Sequence, residues 1–163
     1  MKSRISLPPE LCDRPFSIAE ADRLGVPRAR LRRRDLTTPV RGIRIASRIP
    51  PIPVEGAAPW ATRVEQVWTA VRIEHARMPE GAAFSHLTAA VIHAFPLRTA
   101  RIPADRPLDV TTYADSARRR RVGVTVHPLP RDERRVIVDR LHVTPPVDNW
   151  CALSAVLTVD ELV

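Results

Sequence analysis

Between Phe16 and Leu24, apolar Ile18, Ala21 and Leu24 recur at helical spacing, while Glu20, Asp22 and Arg23 fall on the wet side. Ser17 stands where an N-cap belongs, and Glu20 follows three residues later, the spacing of a capping box. Gly25 closes that helix with a residue that tolerates the left-handed conformation, and Pro27 opens the next one, where its missing N–H costs nothing. Val26 plugs the angle between them. With Leu31 facing the core, a rotation of ~100° per residue puts Ala29 and Arg33 opposite it, flanked by Arg30 and Arg32. Thr37 to Ile45 then carries a Pro39 break, an Arg41-Gly42 bend and alternating Ile43, Arg44 and Ile45, the pattern of a short hairpin with one apolar and one basic side. Residues 16–48 therefore read as a winged helix-turn-helix.

Further along, Ile49 to Pro59 is proline-dense and reads as a stiff linker over 49–59. Trp60 to Met78 is predicted helical, with Val64, Val67, Trp68 and Val71 in one stripe and His75 at its end. Pro79-Glu80-Gly81 stops it. Ser85 caps a second helix, His86 to His93. Three strand signals follow, Leu108 to Tyr113, Val122 to Leu129 and Val136 to Val143, the last split by a tight turn at Asp139-Arg140. Thr144-Pro145-Pro146 leads into a helix over Val147 to Leu153. Thr158-Val159-Asp160-Glu161 is a second capping box, announcing a helix from Val159. A helix of four or five residues is not self-sustaining, so either one turn docks on a core or the 60–163 domain is truncated at its C-terminus, the second being the expectation. The fold class that follows is α+β: an N-terminal winged helix-turn-helix, then a small mixed helix/antiparallel-strand domain.

Composition changes this picture in one respect. With 26 basic against 18 acidic residues, the 163-residue chain carries a formal charge of +8, which favours an anionic partner. Lys2 is the only lysine. Arginine with abundant Ala, Val and Pro accompanies GC-rich bacterial genomes whatever their proteins bind, so placement weighs more than total. The positives cluster in Arg28 to Arg34, in Arg118 to Arg121, and at Arg131, Arg134 and Arg135. An apolar fraction of 44% suffices for a core. No apolar run approaches the ~20 residues of a membrane span, and the first residues lack a signal-peptide core. The expectation is a cytoplasmic protein, off the membrane, with Cys12 and Cys151 as two reduced thiols.

Placement points to double-stranded DNA. Arg30, Arg32 and Arg33 would meet the major groove, with Arg28 at the helix start, and Arg41 and Arg44 on the wing would hold phosphate or minor groove. Arg118, Arg119, Arg120 and Arg121 lie between two strand signals, hence on a hairpin tip, as a secondary anion contact. Chemistry is not expected. Restriction-type nuclease sites pair carboxylates with a lysine; Asp105, Asp109 and Asp115 are present, but no Glu-x-Lys pattern is. Zinc needs three or four convergent ligands, and His75, His86, His93, His127 and His142 are scattered. Ser85 reads as a cap, and Trp60, Trp68 and Trp150 as core anchors. No catalytic residue, metal or cofactor is assigned.

Several segments together resemble one bacterial family. FSIAEADRLGVPRARLRRRDL with VRGIRIA resembles its winged N-terminus, and AFSHLTAAVIHAFPL its Ser-His-Leu-Thr-Ala-Ala helix and the Leu-Pro turn beyond. HVTPPVDNW and LTVDELV resemble its closing strand, helix and Asp-Glu-Leu segment. The family is the AbiEi-like antitoxins of type IV toxin–antitoxin (abortive infection) systems, including actinobacterial relatives fused to a very-short-patch-repair-type endonuclease domain. The resemblance covers most of the chain from Pro15 onward. It implies a winged-helix DNA-binding regulator that represses its own operon by promoter occupancy, with a cognate toxin as partner. Two departures stand out. Ala152 replaces an Asp usual in the family, and the nuclease chemistry of the fused relatives follows the helix that starts at Val159. The alternatives are a catalytically inactive remnant of an endonuclease-fused relative, and an interaction module binding a toxin. The oligomeric state stays open.

Overall fold

The computed structural model describes residues 6–46, 58–113, 121–129 and 134–162. The described chain is mixed α+β and divides into two compact units. The first holds the N-terminal elements together with Arg72–Met78, and the second holds the remaining described residues. The division therefore falls inside the long helix α2 (Pro59–His75). Of the proline-rich stretch, only Ala58 and Pro59 are described.

In the first unit, β1 (Phe16–Ser17) leads straight into α1 (Ile18–Arg23). The Ser17 hydroxyl accepts the Glu20 N–H at 3.1 Å, as the capping spacing predicts. The Glu20 carboxylate does not reach back; Arg14 takes it in a two-pronged pair. Gly25 follows α1 with φ +71°, the left-handed residue that ends the helix. Val26 is buried, its N–H on the Ala21 carbonyl at 2.9 Å. Leu24, placed in the apolar stripe by spacing, is 45% exposed because it is already the C-cap of a six-residue helix.

The second helix of the expected pair is shorter than its pattern. After Pro27 the chain forms one 3-10 turn, Arg30–Arg32, and Arg33 is extended (ψ 152°). β2 (Leu36–Thr37) and β3 (Ile43–Ala46) make the expected hairpin, with Leu36 opposite Ala46 and Gly42 at φ +88° in the bend. β1 pairs on the other side of β3, giving the order β1-β3-β2. Leu11, Phe16, Ala21, Val26, Leu31 and Leu36 form the core of this unit. Each large side chain so buried contributes roughly 1.5–3 kcal/mol.

The second unit is a five-stranded sheet with helices. Its strands are β4 (Ala83–Phe84), β5 (Leu108–Tyr113), β6 (Val124–Leu129), β7 (Val136–Val138) and β8 (Leu141–Val143). Their order is β6-β5-β4-β8-β7. Asp139 (φ +47°) and Arg140 (φ +64°) form the two-residue turn between β7 and β8 that the split predicted. One expectation fails. The sheet is not antiparallel throughout: β4 pairs parallel with β8, and β5 parallel with β6, Leu108 opposite Val124. β5 and β6 are therefore not the two arms of a hairpin, because a hairpin joins antiparallel neighbours. Arg118, Arg119 and Arg120 lie outside the described residues, as does Asp115; Arg121 is half-buried.

The helices α3 (His86–Ile92) and α4 (Pro146–Leu153) lie where the pattern put them, and α5 (Val159–Leu162) follows. Leu87 and Ala90 of α3 pack against Leu153 and Leu157, with Leu162 added from α5. Half of the Thr158–Glu161 capping box forms: the Glu161 carboxylate accepts the Thr158 N–H at 3.1 Å, and the Thr158 hydroxyl donates to the same carboxylate at 3.2 Å. Arg101 holds the same carboxylate from the other side, at 2.7 and 2.8 Å. With those contacts Glu161 is held down to about 2. No helix among the described residues is long and apolar enough to cross a membrane.

Candidate functional site

Ion pairing and exposure sort the arginines between residues 14 and 46 into two groups. Arg14 is held by Glu20, Arg28 by Asp22 at 2.7 Å, and Arg30 by both oxygens of Asp35 at 3.0 and 2.7 Å. Arg30 is only 6% exposed. Its guanidinium is a scaffold group, and Asp35 is lowered from the ordinary carboxylate value by that hydrogen-bonded pair. Arg44 is likewise turned inward, its Nε donating to the Leu31 carbonyl at 3.1 Å and Nη1 to the Ile43 carbonyl at 3.0 Å. It ties the hairpin to the 3-10 turn.

The second group is exposed. Arg23, Arg32, Arg33, Arg34 and Arg41 all face solvent. Arg33 adds to the field on Asp35. Of the six arginines expected at DNA, the structure thus leaves Arg32, Arg33 and Arg41 unencumbered, keeps Arg28 in an exposed pair, and commits Arg30 and Arg44 to the fold. Arg34 joins the free group, and its place in the Arg32-Arg33-Arg34 run was the signal for it. The physical reason for the change is the 3-10 turn. Three residues per turn eclipse side chains differently from an α-helix, so the rotation that put Arg30 beside Ala29 on the outer face does not hold.

The second unit contains a polar cluster around the Ser85-His86 pair. Ser85 is buried and shares a 3.1 Å hydrogen bond with His86 Nδ1, rather than capping α3 with its side chain. His86 sits at φ +47°, a left-handed conformation unusual for a bulky residue. Asn149, wholly buried on α4, donates its amide to the His86 carbonyl at 3.1 Å and so pins that backbone. The His86 ring stacks on His127 with centroids 3.8 Å apart. His127 Nε2–H donates to Asp109 Oδ1 at 2.9 Å, which fixes its tautomer. Burial first, and His127 second, push His86 below its ordinary 6.5, with Asp109 opposing.

This cluster brings together residues that the sequence left apart. Within it the two imidazoles meet face to face rather than through a hydrogen bond. Among the described residues, no group of three or more His, Cys, Asp or Glu could hold a metal ion. The remaining histidine of α3's face, His93, donates Nε2–H to the Thr144 carbonyl at 2.8 Å. Trp60 and Trp150, expected as core anchors, are 55% and 41% exposed. Cys12 is partly buried and Cys151 exposed, each a free thiol.

Comparison with protein-family models, with curated proteins and with solved structures finds no match to this chain.

Proposed function

We propose that the chain is a DNA-binding transcriptional regulator of the kind its sequence resembles, a type IV antitoxin acting by occupying a promoter. In this reading α1, the 3-10 turn and the β2–β3 hairpin correspond to the helix-turn-helix and wing. The observation that carries it is the exposed arginine run. Glu20, Asp22 and Asp35 are matched in turn to Arg14, Arg28 and Arg30, and Arg32, Arg33, Arg34 and Arg41 are left exposed on a small, well-packed support.

A 3-10 turn of three residues rises about 6 Å, too little to lay a long reading surface in a major groove. Phosphate contact is thus the larger part of the binding, and base contact the smaller. No bond is made or broken; the mechanism is occupancy. Paired half-sites bound by two copies supply the affinity a single small module lacks.

A salt titration of binding to the chain's own upstream DNA and to random DNA tests this. Neutralising about four phosphates gives a log–log slope near −3 to −4, with tighter binding to the upstream sequence. A flat titration, or equal affinity for both DNAs, removes the regulator.

A further inference from the structure

The second unit contains a groove that DNA binding does not use. One wall is the first part of α2, with Trp60, Val64 and Trp68; the other is the end of α3 and the segment after it, with Phe95, Arg98 and Ile102. The space between them is about 480 Å³, within the range of pockets that take small molecules. A fixed clamp holds the walls at their spacing. Arg63 of α2 donates to Asp105 at 2.8 Å and to the Ile102 carbonyl at 3.0 Å. Phe95 is braced in turn, 5.7 Å from the His93 ring and edge-on to Trp150 at 5.5 Å.

Charge at this groove has one sign. No Asp or Glu lines it, and Arg98 and Thr99, both exposed, are the polar groups at its rim. The smaller cleft on the far side of Phe95 to Arg98, about 200 Å³, shares Phe95 and Arg98 with it but adds Asp160 and Glu161, the latter paired with Arg101. The added carboxylates make that cleft the poorer of the two for an anion. The aromatic walls favour a flat, apolar body, and the exposed guanidinium favours a carboxylate at its end.

We infer that the groove between α2 and the segment after α3 binds a small aromatic carboxylate, with its ring between Trp60 and Phe95 and its carboxylate on Arg98. The site is independent of the arginines assigned to DNA, and it stands whether or not that assignment does.

The probe is 2-naphthoate, titrated into the full chain and followed by calorimetry and by quenching of tryptophan fluorescence. Its neutral isostere, 2-naphthylmethanol, is the control. Saturable one-to-one binding is expected, with the carboxylate about two- to fivefold tighter than the alcohol, because solvent screens a contact to an exposed guanidinium. Arg98→Gln, a change on an exposed side chain, removes that preference and leaves the alcohol's affinity unchanged. Val64→Trp fills the groove and abolishes binding of both. If Val64→Trp fails to fold, Arg98→Gln alone still decides. Absence of saturable binding, equal affinity for the two probes, or an Arg98→Gln variant that keeps the preference would overturn the site. So would saturable binding of an acidic aromatic peptide with none of 2-naphthoate.

Discussion

Changing Arg30 to Ala should destabilise the fold rather than remove a DNA contact. Arg30 is 6% exposed and grips Asp35 with its two terminal nitrogens, Nη1 and Nη2, while Asp35 itself is 58% exposed. That exposure limits the pair to about 1 kcal/mol or less, because solvent screens the carboxylate. The larger loss is the aliphatic stem, about 0.8 kcal/mol per buried methylene, or roughly 2 kcal/mol for the stem. The sum is about 3 kcal/mol, which for a chain of this size lowers the melting temperature by about 6–12 °C. Arg33→Ala, on an exposed side chain, should stay within about 0.5 kcal/mol of wild type yet reduce the DNA salt slope by about one. Thermal melts and salt-titrated DNA binding of the two variants separate the roles. An Arg30→Ala protein that melts like wild type but loses one unit of salt slope would refute the reasoning, since Arg30 would then be out of its pocket and on the phosphate.

Three other outcomes are expected. His86 is held below its ordinary 6.5 by burial and by His127; the unfolded chain therefore binds the extra proton first. Its contribution to stability is full above about pH 6.5 and is lost as pH falls below that value. Melting temperatures across pH 5 to 8 should show this fall, and His86→Asn, which tolerates φ > 0 and does not titrate, should flatten it; an unchanged profile counts against the assignment. Asn149→Ala strips the donor from the His86 carbonyl and should cost about 1–3 kcal/mol in urea unfolding, a loss under 0.5 kcal/mol being incompatible with a pinned backbone. Gly25→Ala meets no atom within 4 Å, so only its φ of +71° matters. The cost should be about 1–2 kcal/mol by the same measurement, and a much larger one would mean an unseen steric neighbour.

Local rules were legible wherever the deciding neighbours lie within a few residues. Ser17 caps α1, Asp139-Arg140 turns β7 into β8, β5 spans Leu108 to Tyr113, and Glu161 reaches back to Thr158. The direction of β6 beside β5 was not legible, because alternation of apolar residues is the same for parallel and antiparallel pairing. Arg30 was misplaced for a related reason. Its partner Asp35 is five residues on, and it meets Arg30 only because the chain makes a 3-10 turn instead of an α-helix. The Ser85, His86, Asp109 and His127 cluster joins three separate elements, and no spacing along the chain announces it. Trp60 and Trp150 were assigned to the core along with Trp68 of the apolar stripe, although neither lies among its buried residues.

The order of the five-stranded sheet bears on how the protein avoids its own copies. Within the described residues the sheet ends in β6 on one side and β7 on the other. A terminal strand offers unpaired backbone groups on which another chain can add, and long flat ones invite stacking into aggregates. Both ends are blunted. β7 is three residues long and runs directly into a tight turn. β6 carries Pro128 opposite Thr112, a residue with no N–H to offer and one that a central strand would not accept. The same proline that marks β6 as an edge removes a rung from any ladder a second molecule could build there.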